Sequence, residues 1–488
     1  MTRFDLLGPI FRFRPAARSD PDRRRVSWPV MVSVLTACGA RTGLDVPGAP
    51  DGGSADATSA DASPPCSGIG YHDITHPECW SFVATTPVWP PVDGTAKSFG
   101  AGTFDGRYIY IVSDDATYDL VPDVHYDALV LRYDTHAPFA ITGWTAFDPQ
   151  TVLPGATGFQ GSVFDGRYVY LVPSSNDAHP NTPPDGIVAR YDTRADFAGA
   201  SSWTAFDLAT LNPGAVGYRG GVFDGRYVYL APALSPGFTT GSLIVRYDSE
   251  GPFADTSSYQ VFDALAVGAH SRGFCSAVFD GRYVYFTPDS VIYEVDDPSH
   301  VAYVTRYDTH AAFGDASAWS AFDMANVNPR ALGSFGSAFD GRYVYFMPGM
   351  QATAPNVAMP VVRYDTTGTF SDVASWSAFD TTALGPNAFG FMGTGFDGRY
   401  VYLAPARTVE KQGGLIVRYD TSKDFGAAMS WSLEDIQALD SQASGFSRAV
   451  FDGQFMYFVP EFSGVVARFD TKAPPSMPKL PGWNGSFY

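Results

Sequence analysis

Short stretches in which hydrophobic side chains alternate along the chain recur throughout this sequence. In residues 167–173 (RYVYLVP), aromatic and aliphatic residues alternate with a period of two, which predicts a β-strand. A small apolar run at 158–164 (GFQGSVF) comes just before it, and the Asp-Gly pair between the two is typical of a hairpin turn. Two further strand-like stretches follow at 186–192 and 202–207, and no stretch has a helical period. The pattern therefore predicts a unit of four short strands.

This unit recurs seven times. The string FDGRY, or a close variant of it, begins at Phe104, Phe164, Phe223, Phe279, Phe339, Phe396 and Phe451. The string RYD, which is RFD in the last copy, begins at Arg132, Arg190, Arg246, Arg306, Arg363, Arg418 and Arg468. Successive FDG strings are 55 to 60 residues apart, and a repeat of this length is typical of propellers and arrays. Seven units of four strands predict an all-β fold, a seven-bladed β-propeller.

The ring is expected to close with a strand from the N-terminal part of the chain. Six RYD strands are followed by a fourth strand that begins with Trp or Tyr, whereas the chain after Asp470 enters a Pro-rich tail. A matching stretch, Trp80-Ser81-Phe82, stands before the first FDG string. We therefore expect residues near Trp80 to supply the outer strand of the last blade, which removes exposed sheet edges.

The blade layout resembles that of kelch-type propellers over residues 76 to 470. In that family a Tyr-Asp strand leads through a short loop to a Trp, as Tyr191-Asp192 leads to Trp203 here. Val172-Pro173 stands where kelch repeats carry two glycines. The resemblance implies a propeller built from repeated four-stranded blades.

The N-terminal segment predicts export. Arg23, Arg24 and Arg25 precede a short apolar stretch at 28–37, which is typical of a signal peptide. The stretch ends Leu35-Thr36-Ala37-Cys38, which resembles the lipobox of bacterial lipoproteins. The resemblance implies removal of residues 1–37 and lipidation of Cys38, which would anchor the protein in the bacterial cell envelope, at the outer membrane or in the periplasm.

The remaining boundaries follow from composition. Residues 38–75 are expected to be the lipidated Cys followed by a flexible tether rich in Gly, Ala, Asp, Ser and Pro. The propeller is assigned to residues 76–470, and a C-terminal tail to residues 471–488. Export to an oxidising compartment predicts a disulfide between Cys66 and Cys79, and Cys275, in an apolar strand, is expected to be a buried, inert thiol.

Charge excludes one class of partner. The formal net charge is −19, and an acidic chain is a poor binder of nucleic acid because phosphate neutralisation needs Lys and Arg. No nucleic acid is therefore expected as a partner. The protein is expected to be a monomer that meets the membrane only through its N-terminal lipid.

Length variation within the unit points to a binding face. From each RYD Arg to the next FDG Phe the distance is 32 or 33 residues, whereas from FDG Phe to RYD Arg it ranges from 17 to 28. All of the variation falls between the second and third strands, and variable loops on a rigid scaffold are where binding usually resides. The repeated Arg and Asp residues, by contrast, are expected to be structural, each Arg bonding to an Asp or a carbonyl of the neighbouring blade.

Candidate ligand-binding residues stand where the repeat is broken. Three residues before each FDG Phe the side chain is small in six copies and Arg448 in the seventh. One position earlier the residues diverge and include Gln160 and Arg219. Together with residues of the variable loops and the entry to the fourth innermost strand, the candidates for binding a carbohydrate, peptide or protein are Gln160, Arg219, Arg448, His125, Tyr126, His179, His270 and His300.

No catalytic constellation stands out. There is no GxSxG, P-loop or GxGxxG motif, and the histidines lack the spacing of a zinc or copper site. No cofactor is predicted; calcium is the ion that Asp-rich loops such as 113–115 would suit best. The expected function is a ligand-binding module. An envelope enzyme (lyase, hydrolase or oxidase) with its site at the channel mouth and a structural scaffold are the alternatives.

Overall fold

The computed structural model describes residues 66–85, 98–113, 128–174, 184–235, 239–289, 302–349, 358–406, 413–461 and 463–480. These residues belong to the unit Ala62–Tyr488. The unit Met1–Asp61, with the predicted signal peptide and Cys38, lies outside the described residues.

Two strands come before the first blade: β1 (Gly70–Tyr71) and β2 (Trp80–Ala84). Blades 1 and 2 comprise β3 (Phe99–Phe104), β4 (Tyr108–Ser113), β5 (Val130–Asp134), β6 (Trp144–Phe147), β7 (Phe159–Phe164), β8 (Tyr168–Pro173), β9 (Ile187–Asp192) and β10 (Trp203–Asp207). Blades 3 and 4 comprise β11 (Tyr218–Phe223), β12 (Tyr227–Pro232), β15 (Leu243–Asp248), β16 (Tyr259–Asp263), β17 (Phe274–Phe279), β18 (Tyr283–Pro288), β19 (Tyr303–Asp308) and β20 (Trp319–Asp323). Between β12 and β15, β13 (Leu234–Ser235) and β14 (Thr239–Thr240) form a separate two-stranded sheet.

Blades 5 and 6 comprise β21 (Ser334–Phe339), β22 (Tyr343–Pro348), β23 (Val361–Asp365), β24 (Trp376–Phe379), β25 (Phe391–Phe396), β26 (Tyr400–Pro405), β27 (Leu415–Asp420) and β28 (Trp431–Asp435). Blade 7 contains β29 (Phe446–Phe451), β30 (Phe455–Pro460) and β31 (Val465–Asp470), and β32 (Lys472–Ala473) follows it. The fourth strand of blade 7 is β2, which pairs antiparallel with β31 and so closes the ring. The predicted seven-bladed propeller of four-stranded blades is confirmed.

Helical structure in the described residues is limited to three-residue 3-10 turns. They are Pro77–Cys79, Ile141–Gly143, Pro149–Thr151, Ala200–Ser202, Leu208–Thr210, Thr256–Ser258, Ala264–Ala266, Ala316–Ala318, Met324–Asn326, Val373–Ser375, Thr381–Ala383, Ala428–Ser430 and Ile436–Ala438. Many start at an Asp, and Asp323, for example, accepts a hydrogen bond from the Ala325 amide in the usual N-cap manner. Within the described ranges, no helix has the length and apolar character that a membrane crossing needs.

The core lies between the blades. Seven clusters of buried hydrophobic side chains each join two neighbouring blades, and together they complete the ring. At the interface of blades 3 and 4, Trp319 stacks on Phe262 with ring centroids 4.2 Å apart, and its indole N–H donates to the Phe313 carbonyl at 3.0 Å. The aromatic residue at the start of each fourth strand thus fills the gap between sheets, and in six of the seven blades, Trp144 being the exception, its polar group also donates to a backbone carbonyl.

The propeller boundaries differ from those expected from composition. β1 pairs with β32, so residues assigned to the tether and to the tail form a small sheet beside the last blades. Ile74, also within the expected tether, is fully buried in the core of blades 6 and 7. The predicted disulfide between Cys66 and Cys79 is present and ties this segment to the strand that closes the ring. The folded part of the chain therefore begins further upstream than expected, because these residues bury apolar surface against the ring.

Candidate functional site: the channel mouth

Every innermost strand carries a β-bulge at the same place. In blade 3 the register shifts between Tyr218 and Gly220, so that Arg219 has no direct partner on β12. The bulged residues in the seven blades are Gly100, Gln160, Arg219, Cys275, Phe335, Met392 and Ser447. Each bulge lies opposite the end of the second strand, where the variable connection to the third strand begins. Bulges re-aim side chains, so the divergent position is free to vary without disturbing the ladder.

The residues that follow the bulges line the axial channel. They are Ala101, Gly161, Gly220, Ser276, Gly336, Gly393 and Arg448. Small side chains are required because neighbouring innermost strands approach closely: a Cβ on Gly161 would lie 2.6 Å from the Arg219 carbonyl oxygen, and one on Gly220 would lie 2.7 Å from that of Cys275. The resulting cavity has a volume of about 50 Å³, which is far below the several hundred Å³ of ordinary ligand pockets. A ligand larger than a small chemical group would therefore lie at the mouth.

A buried ion pair spans blades 3 and 4 at the mouth. The Nη1 of Arg219, from the blade 3 bulge, donates to Oδ2 of Asp289, which directly follows β18. Arg219 is 9% exposed and Asp289 is 3% exposed. The Asp289 amide donates to the Gly273 carbonyl at 2.8 Å, which holds the carboxylate in place. A charge-assisted bond in such a buried position fixes the orientation of the guanidinium.

Arg448 enters the channel from the opposite side of the ring. It belongs to β29 of blade 7, and its Nη1 donates to the Ser447 carbonyl at 2.8 Å. Its side chain is partly exposed, and together with Arg219 it lines the axial cavity. The structure thus places two arginines from blades 3 and 7 on one small cavity.

Cys275 lies near Arg219, Asp289 and Arg448, and its thiol is unreactive. The thiol is free, 1% exposed, and directed at the carbonyls of Ser334 and Thr287, at 3.3 and 3.7 Å. Burial, reinforced by the Asp289 carboxylate, raises its pKa well above the usual range. A thiol held protonated in this way is a poor nucleophile, as expected from the sequence.

The other predicted site residues are distributed differently. Gln160 occupies the blade 2 bulge, and its Oε1 accepts from Ser174 of the same blade at 3.1 Å. His270 stacks on Tyr303 with ring centroids 4.9 Å apart, away from the channel lining. His125, Tyr126, His179 and His300 lie outside the described residues. Asp289 was not singled out by the sequence, although it stands where most blades carry Ser, Ala or Gly after the second strand.

The described residues offer little for a metal. Within them, one group of three side chains has ligand atoms close enough together: Cys66, His72 and Cys79, within 4.8 Å of one another. The two sulfurs are joined in the disulfide, and His72 Nδ1 lies 3.0 Å from the Asp470 carbonyl oxygen. These three residues therefore have a structural role: they hold the N-terminal segment against the last blade. The Asp-rich stretch 113–115 that suited calcium lies mostly outside the described residues.

The opposite end of the blades repeats a single network, illustrated by blade 4. Asp280 of the FDG turn accepts hydrogen bonds from the amides of Arg282 and Tyr283 and from the Tyr285 hydroxyl, at 2.8, 2.6 and 2.7 Å. The exposed Arg282 side chain pairs with Asp308 of the RYD string at 2.6 Å. The same ion pair recurs in blades 1 to 6, and in blade 7 Gln454 takes the place of the arginine.

The RYD arginines have a structural role, but with different partners from those expected. Arg306 is held between the rings of Tyr283, in its own blade, and Phe370, in the next, at 4.2 and 4.1 Å. Its Nη1 donates to the hydroxyl of Tyr364 in the next blade at 3.3 Å. Aromatic faces and hydroxyl groups, and not a neighbouring Asp, accommodate most of these cations, since the ring face attracts positive charge, while Arg418 donates to a backbone carbonyl, that of His72, at 2.9 Å.

Fold and site together define a seven-bladed β-propeller in which charged residues interrupt the sequence repeat at one mouth of the axial channel. No protein-family model and no curated protein matches the chain. Among solved structures, the Pan2 WD40 domain of Neurospora crassa is 10% identical, with a TM-score of 0.48, covering 82% of this chain and 98% of that one. The Doa1 WD40 propeller domain is 8% identical, with a TM-score of 0.44, covering 78% and 95%.

A third solved structure with a similar arrangement is PorZ, described as an essential bacterial surface component of the type-IX secretion system of Porphyromonas gingivalis. It is 10% identical, with a TM-score of 0.43, and the match covers 83% of this chain and 40% of that one.

Proposed function

We propose that this protein is an exported, lipid-anchored binding module of the cell envelope that holds a carbohydrate, peptide or protein ligand at its channel mouth. The observation that supports this is the contrast between the two ends of the blades. Seven blades share one hydrogen-bond network at the turn end, whereas each bulge residue at the mouth end is different. A rigid ring that varies its side chains at one end is a suitable platform for recognition.

Binding at this end is tested with the full-length chain against arrays of glycans and peptides, followed by titration calorimetry with any hit. Gln160→Ala and Met392→Ala alter bulge residues of blades 2 and 6, and Arg107→Gln alters an exposed arginine at the turn end as the matched control. We expect the mouth variants to weaken binding at least threefold and the control to leave it unchanged. Loss of binding in Arg107→Gln alone would place the ligand at the other end and contradict the proposal.

The proposed anchoring rests on the lipobox-like sequence at 35–38. It is tested by metabolic labelling with a fatty acid in a bacterial host, where label is expected in the full-length protein and absent from Cys38→Ser. Label that persists in the variant, or soluble unlabelled protein in both, would overturn the lipid anchor at Cys38 while leaving the binding proposal intact.

A further inference from the structure

At the channel mouth, one blade carries an arginine where the other six carry a small residue. Of the seven residues that follow the bulges, all within the described part of the chain, six are Gly, Ala or Ser and the seventh is Arg448. The strand pairing does not call for a guanidinium at this position, because the other six blades form the same innermost strand with Gly, Ala or Ser there. Arg448 therefore introduces charge where the scaffold needs only a small side chain.

Arg219 adds a second cation to the same cavity. Its ion pair with Asp289 lies behind the channel wall, since Arg219 lines the cavity and Asp289 does not. The described residues around the cavity include these two arginines, four hydroxyl side chains and no acidic residue; the hydroxyls belong to Ser162, Ser276, Ser337 and Thr394. Asp289 balances the charge of Arg219 from behind, so the cavity lining is rich in hydrogen-bond donors, and Arg448 adds a further positive charge to it.

We propose that the channel mouth receives a carboxylate group of the ligand between Arg219 and Arg448, with the rest of the ligand outside, against the bulge ring. This inference rests on the proposed binding function. A guanidinium presents paired N–H donors that match a carboxylate, and charge-assisted bonds of this type are the stronger ones. The cavity volume of about 50 Å³ admits a group of this size and is far below that of ordinary ligand pockets. Low-dielectric walls strengthen the attraction relative to that in bulk water.

The test compares acids with their neutral counterparts, using the full-length protein and titration calorimetry or ligand-observed NMR. The probes are galacturonate against galactose, for an acidic sugar, and N-acetyl-alanine against its primary amide, for a peptide terminus. We expect at least one acid to bind at least tenfold more tightly than its counterpart, and which of the two does so identifies the source of the carboxylate. Equal affinity within both pairs, or no binding by any probe at millimolar concentration, would overturn the inference.

Substitutions test whether Arg219 and Arg448 are the residues that bind the carboxylate. Arg448→Gln is expected to reduce the affinity for the preferred acid at least tenfold without changing the affinity for its neutral counterpart. Arg219→Gln combined with Asp289→Asn, which avoids stranding a buried carboxylate, is expected to do the same. Arg107→Gln, which removes an exposed arginine at the other end, is the matched control and should bind normally. Near-UV circular dichroism confirms that each variant is folded.

The results distinguish failure of the carboxylate site from failure of the proposed binding function. An unchanged affinity for the acid in folded Arg448→Gln would overturn the carboxylate site. If a neutral glycan or peptide nevertheless bound, and did so through Gln160 or Met392, the binding module would stand without the carboxylate. If mouth variants affected no ligand at all, both proposals would fail.

Discussion

The two ends of the blades are built in opposite ways. At the turn end, Asp280 and its six equivalents each accept two backbone N–H bonds and one tyrosine hydroxyl, and every blade is nearly a copy of the next. At the mouth end, the bulge residue is Arg in one blade, Cys in the next and Phe in the one after.

The difference shows which constraint acts at each end. The turn end must reverse the chain between strands one and two, and a carboxylate that satisfies the turn's own donors is a local solution that every blade can reuse. The bulge residue has no ladder partner, so strand pairing imposes no side chain on it, and its identity can differ from blade to blade. Four experiments test this contrast, starting with the largest expected effect.

Breaking the buried ion pair at the mouth should be the most damaging change. Arg219→Met leaves the Asp289 carboxylate buried without its guanidinium, and we expect a loss of about 4 kcal/mol in the free energy of unfolding. Urea unfolding followed by tryptophan fluorescence measures it. Adding Asp289→Asn removes the stranded charge and should recover part of the loss. A single variant as stable as the parent would mean that the pair does not hold blades 3 and 4 together.

Packing between innermost strands should depend strongly on the blade. In Gly393→Ala the new Cβ would lie 2.5 Å from both Arg448 Cα and the Ser447 oxygen, whereas in Gly336→Ala its nearest neighbour is the Met392 oxygen at 3.4 Å. We expect a cost of about 3 kcal/mol for the first change and well under 1 kcal/mol for the second. Urea denaturation of the two variants side by side measures the difference. Equal costs would show that the ring relaxes evenly and that the blades are not distinct at this end.

At the turn end, removing one carboxylate should have a moderate effect that is the same in blades 4 and 5, where Asp280 and Asp340 are both half-buried. Asp280→Ala loses three hydrogen bonds, one of them from the buried Tyr285, and we expect a cost of about 2 kcal/mol. Asp340→Ala, the blade 5 equivalent, should match it in the same thermal and urea unfolding experiments. Clearly unequal costs would break the equivalence of the blades on which the comparison rests.

The exposed ion pairs should matter least. In Asp365, burial would by itself raise the pKa, but hydrogen bonds from Arg342 and Thr367 outweigh it and lower the pKa to about 2. The pair's contribution is therefore present above the unfolded pKa of 3.8 and is lost as the pH falls through about 2. Arg342→Gln should lower the Tm by at most about 1 °C at pH 7, with a smaller difference from the parent at pH 2, where Asp365 is partly protonated. A larger shift, or one that grows on acidification, would contradict this assignment.

Much of the architecture was predictable because it is local and repeated. Alternating strands such as Tyr168–Pro173, the Asp-Gly turn before them and the aromatic start of Trp203–Asp207 each reflect contacts within a few residues or with the adjacent strand, and all recur at one period. The cysteine pair, 13 residues apart, was also predictable, and the disulfide is present.

The contacts between blades were harder to predict from the sequence. The RYD arginines are in the expected structural role, but their partners are the ring and hydroxyl of residues such as Phe370 and Tyr364 in the next blade. A strand pattern shows that a residue is inward or outward within its own sheet. It does not show which side chain of another sheet it meets, because that depends on the angle at which the two blades pack.

The sequence by itself determined the number of blades, the strands in each and the positions at which one blade differs from the next, because periodicity and repetition are properties of the chain. Tertiary structure decided what those differences do. A bulge turns Arg219 out of the alternating pattern, ring closure brings Arg448 of the last blade to the same cavity, and Asp289, seventy residues along the chain, becomes the partner of Arg219. These contacts depend on the curvature of the ring and on how closely its innermost strands approach, and neither is written in any short stretch of sequence.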